Sequence, residues 1–124
     1  MKILVVEDND LNRHLVQAVL KPRGHVLEEA QTAADAIAAL GRAPPPDVVL
    51  LDINIPGGGL SVAGHVQSTP ALQPTTVIAL TAFAMRGDED RFLAAGCHGY
   101  ISKPIDVKTF AAQIEAIIHG RQSP

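Results

Sequence analysis

With 124 residues, the chain is long enough for one domain with a sizeable core and too short for two. Apolar residues make up 47%, yet no stretch has the length and freedom from charge of a membrane-spanning helix. The apolar start at residues 3–6 also runs straight into acids without a signal-peptide cleavage site, so the chain reads as cytoplasmic. A net charge of −3 with scattered basic residues excludes a phosphate-neutralising stripe for nucleic acid, and the single Cys97, read as packing, excludes an internal disulfide framework and a paired Cys/His zinc site.

Strand and helix patterns alternate along the chain without repeats. Residues 2–6 read as a buried strand. The helix that follows is capped by Asn9 or Asp10, carries Leu11, Leu15, Ala18 and Val19 as its apolar residues, and is stopped by Pro22 and Gly24. A weaker strand is expected at 25–29. Thr32 then caps an alanine-rich helix with Ala33, Ile37 and Leu40 on one face. Ala43 to Pro46 form a stiff connector to a third strand that begins at Asp47 and ends at Asp52. A third helix near 60–67 is poorly specified, because Val62, Gly64 and Val66 are weak helix formers. A fourth strand at 75–81, a helix at 85–95 ended by Gly96, a strand at 99–102 and a last helix at 106–119 complete the pattern, with Phe110, Ile114, Ile117 and Ile118 turned inward. Residues 121–124 read as a tail to a domain of residues 1–120. Five strands alternating with five helices predict an α/β, flavodoxin-like, doubly wound parallel sheet, (βα)5.

Three of the apolar runs end in polar chemistry, at Glu7 and Asp8, at Asp52 and at Thr81. Parallel strands point their carboxyl ends the same way, so these groups converge on the edge where open α/β sheets bind ligands. Three adjacent carboxylates repel one another, and a hard divalent cation resolves the conflict. Magnesium, with few protein oxygens and several waters, suits Asp8, Asp52 and the main-chain carbonyl of Asn54. Taken singly, Glu7 and Asp8 read as caps for the first helix, and it is their company with Thr81 and Lys103 that points to a site. A carboxylate beside magnesium is a nucleophile toward phosphorus, and the Thr81 hydroxyl and Lys103 ammonium suit the phosphoryl oxygens. Pro104 after Lys103 makes that peptide bond a candidate for the cis form.

Glu7-Asp8, Asp52 with Pro56 four positions on, Thr81-Ala82 and Lys103-Pro104, in this order and spacing, resemble the receiver domain of two-component response regulators from Ile3 to about Ile118. The segments 81–88, 96–97 and 100–105 are similar to single-domain regulators of the DivK type and to receivers of hybrid kinases. The resemblance implies strand order 2-1-3-4-5 and phosphoryl transfer from a phosphohistidine to Asp52. It implies magnesium held by Asp8 and Asp52, with Glu7 acting through water, and phosphoryl oxygens bound by Thr81 and Lys103. It also implies a switch in which Thr81 and Tyr100 move together. A histidine kinase or histidine phosphotransferase is expected against Asn9, Leu11, Asn12, Leu15 and Ile105, and a downstream protein target near Ala84, Met85 and Tyr100. The chain is expected to be a monomer or weak dimer, and to catalyse no reaction beyond its own phosphorylation and dephosphorylation.

Two features depart from the family pattern. The loop after Pro56 is one residue shorter than Pro-x-x-x-Gly and consists of glycine, so the third helix is expected to start differently or be loose. Phe83 stands where a polar residue would help position water, so slow loss of phosphate is expected. Among rival classes, a phosphatase of the haloacid dehalogenase type would need a longer chain and a second acid at position 54. A flavin-binding domain would need a Ser/Thr phosphate loop after the first strand and a tryptophan to stack on the ring. A phosphate-independent receiver-like binding module is the remaining alternative.

Overall fold

A computed structural model describes residues 1–82 and 87–122, with the side chain of Gln122 left aside. Phe83, Ala84 and Met85, singled out above, lie outside the described residues.

The three most apolar runs become the centre of the sheet. β1 (Lys2–Val6), β3 (Val48–Asp52) and β4 (Thr76–Thr81) lie side by side, with β2 (Val26–Ala30) and β5 (Gly99–Ser102) at the two edges. All neighbours are parallel and the order is β2-β1-β3-β4-β5. Side chains alternate across the pleat, so each central strand feeds two cores. Leu4, Val6, Val49, Leu51, Val77 and Ala79 pack on one face with α2 (Ala33–Leu40), α3 (Gly59–Ser68) and Phe92 of α4 (Asp88–Ala94). Ile3, Val5, Leu50, Ile78 and Leu80 pack on the other with α1 (Asp10–Leu20) and α5 (Phe110–Gln122). Phe110 and Ile114 are buried and Ile117 and Ile118 partly so, as their spacing predicts.

The caps are those the sequence supplies. Asn9 Oδ1 accepts from the Asn12 N–H (2.9 Å), and Thr32 Oγ1 from the Asp35 N–H (3.1 Å). Gly96, at φ 111°, closes α4 with Cys97 N–H on the Phe92 carbonyl and Gly96 N–H on that of Leu93, both pairs being the Schellman pattern. Cys97 is buried and free, and burial raises its thiol pKa to about 11, which fits the packing role expected of it.

Several expectations are corrected. The buried face of α1 is Arg13, Val16 and Leu20; Leu11 is 67% exposed, Ala18 exposed, and Leu15 and Val19 half-buried. A paired arginine thus takes a core position that apolar periodicity assigned elsewhere. In α2 the buried set is Ala33, Ala36, Ala39 and Leu40, with Ile37 only half-buried. The third helix is regular. Its all-glycine entrance lets Gly57 and Gly58 take φ of 90° and 83°, while Gly59, Val62, Ala63 and Val66 are buried. α5 begins at Phe110, not Asp106, because Asp106 first organises a turn: its side chain accepts from Lys108 N–H and its carbonyl from Thr109 and Phe110 N–H. α5 also runs through Gln122, so Arg121 belongs to the helix and not to a tail.

Candidate functional site

The acidic residues gather at the point where the strand order reverses. β1 and β3 are neighbours, while the chain leaves β1 for β2 on one side and β3 for β4 on the other, and such a point opens a crevice beyond the carboxyl ends of the strands. Glu7 and Asp8 follow β1 directly and Asp52 is the last residue of β3. One carboxylate oxygen from each of the three lies within 4.8 Å of the others.

Each residue is fixed by a short-range cause. Glu7 N–H continues the ladder onto the Ala30 carbonyl at 3.0 Å, and its side chain is 1% exposed. Asp52 is buried, and its Oδ1 accepts from the Asn54 N–H at 3.0 Å, a local turn that sets the loop after β3. Thr81 is buried at the end of β4, paired in register with Ser102. The Lys103 N–H then donates to the Thr81 carbonyl at 2.8 Å, so the lysine leaves β5 beside the threonine. Its Nζ reaches back to Asp52 Oδ2 (3.2 Å) and to Glu7 Oε2 (3.1 Å) and Oε1 (3.2 Å). The Lys103–Pro104 peptide bond is cis, as is Ala43–Pro44, which the sequence did not suggest.

Burial pushes the Glu7 carboxyl up from its ordinary pKa, and the adjacent Asp52 adds to the shift; the Asn12 amide and the Lys103 ammonium oppose it. One ammonium therefore serves two buried carboxylates while Asp8 stands exposed at the rim. That donor set fits a hard divalent cation, which accepts carboxylate oxygens from one side and keeps water on the other.

The other predicted positions divide by exposure. Asn9, Leu11, Asn54 and Pro104 are exposed, Leu15 is half-buried, and Ile105 is half-buried against the core of α1 and α5. Tyr100 is half-buried on the face of the Phe92 core, with the two ring centroids 6.2 Å apart and tilted by 57°. Asn12, grouped above with the partner face, is half-buried, and its Nδ2 donates to Glu7 Oε1 at 2.8 Å. Arg13 had no place in the sequence reading. Its guanidinium donates to the Glu7 carbonyl (3.0 Å), meets Glu29 Oε2 (3.2 Å) and pairs with Asp10. The signal for Asn12 was its place one helical turn after the Asn9 cap, on the side of the strand end.

The family model described as the response regulator receiver domain matches residues 3–115. The polar-differentiation response regulator DivK of Brucella ovis is 38% identical over 94% of this chain and 94% of its own. The chemotaxis response regulator CheY4 of Vibrio cholerae superposes with a TM-score of 0.87 at 25% identity, over 94% of this chain and 97% of that one. The receiver domain of a sensor histidine kinase from Pseudomonas aeruginosa, solved with magnesium coordinated in its active-site cleft, superposes with a TM-score of 0.82 at 28% identity, over 95% of this chain and 97% of that one. The near-complete matches in sequence and in fold place this chain in the response regulator receiver family.

Proposed function

We propose that Asp52 is the phosphoacceptor of a cytoplasmic signalling module that takes its phosphoryl group from a phosphohistidine. The observation that carries this reading is Lys103 Nζ standing 3.2 Å from Asp52 Oδ2 at the end of β3, with Thr81 buried on the next strand. One Asp52 carboxylate oxygen attacks the phosphorus of a phosphohistidine protonated on its other ring nitrogen, the P–N bond breaks, and its electron pair stays on the imidazole nitrogen, leaving an aspartyl phosphate and a neutral histidine. Transfer of this kind depends on groups held in line and on charge neutralised as it develops. Lys103 supplies a fixed ammonium. The backbone bond from Lys103 to the Thr81 carbonyl keeps the hydroxyl-bearing residue beside it.

Asp8, Asp52 and the Asn54 carbonyl would hold magnesium, with Glu7 acting through water. Bound there, the ion would offset the charge of the carboxylates and of the incoming phosphoryl oxygens. The histidine-bearing partner, a kinase or phosphotransferase, docks over Asn9, Leu11, Leu15 and Ile105, where apolar Leu11 stands 67% exposed beside the acids. The chain catalyses its own phosphorylation and dephosphorylation, and the signal passes by protein contact through Thr81 and Tyr100 to a target, as befits a relative of regulators of polar differentiation.

Intact mass after incubation with acetyl phosphate and magnesium tests the reading. The parent gains one phosphoryl group, about 80 mass units, only with magnesium, and Asp52→Asn gains none. An unlabelled parent, both with acetyl phosphate and with a phosphorylated histidine kinase, would leave a phosphate-independent binding module.

A further inference from the structure

Lysine is a flexible point charge on a four-carbon stem, and a catalytic ammonium has to be held where charge develops. Here the holder is Glu7, both of whose oxygens touch Lys103 Nζ, at 3.2 and 3.1 Å. Glu7 is in turn gripped by α1 at two points. Asn12 Nδ2 donates to Oε1 at 2.8 Å, and buried Arg13 donates to the main-chain carbonyl at 3.0 Å. With Asn12 on Oε1 and Arg13 on the main-chain carbonyl, α1 orients the Glu7 carboxylate, and the lysine stands between it and Asp52.

We propose that Asn12 is a positioning residue for phosphoryl transfer: its amide fixes the Glu7 carboxylate, which sets where the Lys103 ammonium stands relative to Asp52. The proposal rests on Asp52 being the phosphoacceptor. A purely structural role in α1 is already served by other groups. The helix is capped by the Asn9 side chain accepting from the main-chain N–H of residue 12, which any residue but proline supplies. Removing the Asn12 side chain therefore leaves the cap in place and loosens only the Glu7 end.

The test uses the full chain with acetyl phosphate and saturating magnesium, reading the labelling rate by intact mass for Asn12→Leu, which lacks the donor, Asn12→Asp, which repels Glu7, and Asn12→Gln, which restores an amide. In the parent background, Asn12→Leu lowers the rate about tenfold, Asn12→Asp lowers it further, and Asn12→Gln recovers part of the loss, while melting temperatures stay within about 3 °C of the parent. In a Lys103→Ala background, Asn12→Leu changes the residual rate by less than about twofold, because the lysine it acts through is gone. An unchanged rate in Asn12→Leu, or an equal fall in both backgrounds, overturns the positioning role while leaving the phosphoacceptor intact. A parent that takes no label from acetyl phosphate or from a phosphorylated kinase overturns both.

Discussion

A methyl group at position 59 would lie 2.4 Å from the carbonyl oxygen of Asp52 and 2.7 Å from the Cα of Ile53. Both neighbours are backbone of the segment that carries the candidate phosphoacceptor, so neither yields without moving the site. Gly59→Ala is expected to destabilise the fold by about 1 to 3 kcal/mol, as overpacking does, seen as a lower urea midpoint at unchanged slope. A midpoint equal to that of the parent would show that α3 can start elsewhere. The family resemblance marked the shortened loop as a weakness, because sequence alone cannot tell a glycine that loosens a helix from one that permits contact. The same limit applies to Arg13. Its partners Glu7 and Glu29 come from the end of β1 and from β2, so no local periodicity announces that a charged residue will occupy the core side of α1. Glu7, Asp8, Asp52, Thr81 and Lys103 were legible for the opposite reason. Each sits at or just after the end of a strand, and parallel strands bring their ends together whatever the helices do.

At the scale of elements, the second helix and the loop after β3 form one unit beside the acids. Ala33 N–H, in the first turn of α2, donates to the Pro56 carbonyl at 2.9 Å, and a Cβ on Gly57 would meet the Ala33 Cβ at 2.8 Å. The start of α2 is fixed by Thr32, whose hydroxyl accepts from the Asp35 N–H. Thr32→Ala should therefore cost about 1 kcal/mol, measured by urea unfolding, with the far-ultraviolet helix signal of the native state retained. No loss would mean that the tie to Pro56 alone anchors the helix. Element types were legible because the strands are short apolar runs and the helices carry caps. Boundaries were less so where tertiary contacts decide them. Asp106 could begin a helix on its own, but its side chain and carbonyl are taken by the turn at 106–109, and α5 starts four residues later.

Across the whole molecule, the edge opposite the acids is closed by α5 and a histidine. Arg121, near the end of α5, donates to the Pro74 carbonyl (3.2 Å) and to Thr76 Oγ1 (3.0 Å). His98 grips Val77 twice: its N–H donates to the Val77 carbonyl at 2.7 Å, and its Nδ1 accepts from the Val77 N–H at 2.9 Å. An Nδ1 that accepts places the proton of the neutral ring on Nε2, and protonating Nδ1 would set two donors against each other. Burial, with the positive charge of Arg121 adding to it, lowers the His98 pKa from its ordinary value. The folded protein then binds fewer protons than the unfolded chain just below the ordinary histidine pKa. This contribution to stability is fully present above about pH 6.5 and is lost as the pH falls through the folded value. His98→Asn keeps an acceptor near the Nδ1 position and removes the titration. Urea unfolding of the parent and of His98→Asn from about pH 7.5 to about pH 5 should show the parent losing stability faster on acidification. Parallel curves would mean that His98 does not titrate differently in the folded and unfolded chains. Because Asn12 acts at the opposite edge of the sheet from His98, Asn12→Leu should leave this pH difference unchanged, as expected for sites that share no partners.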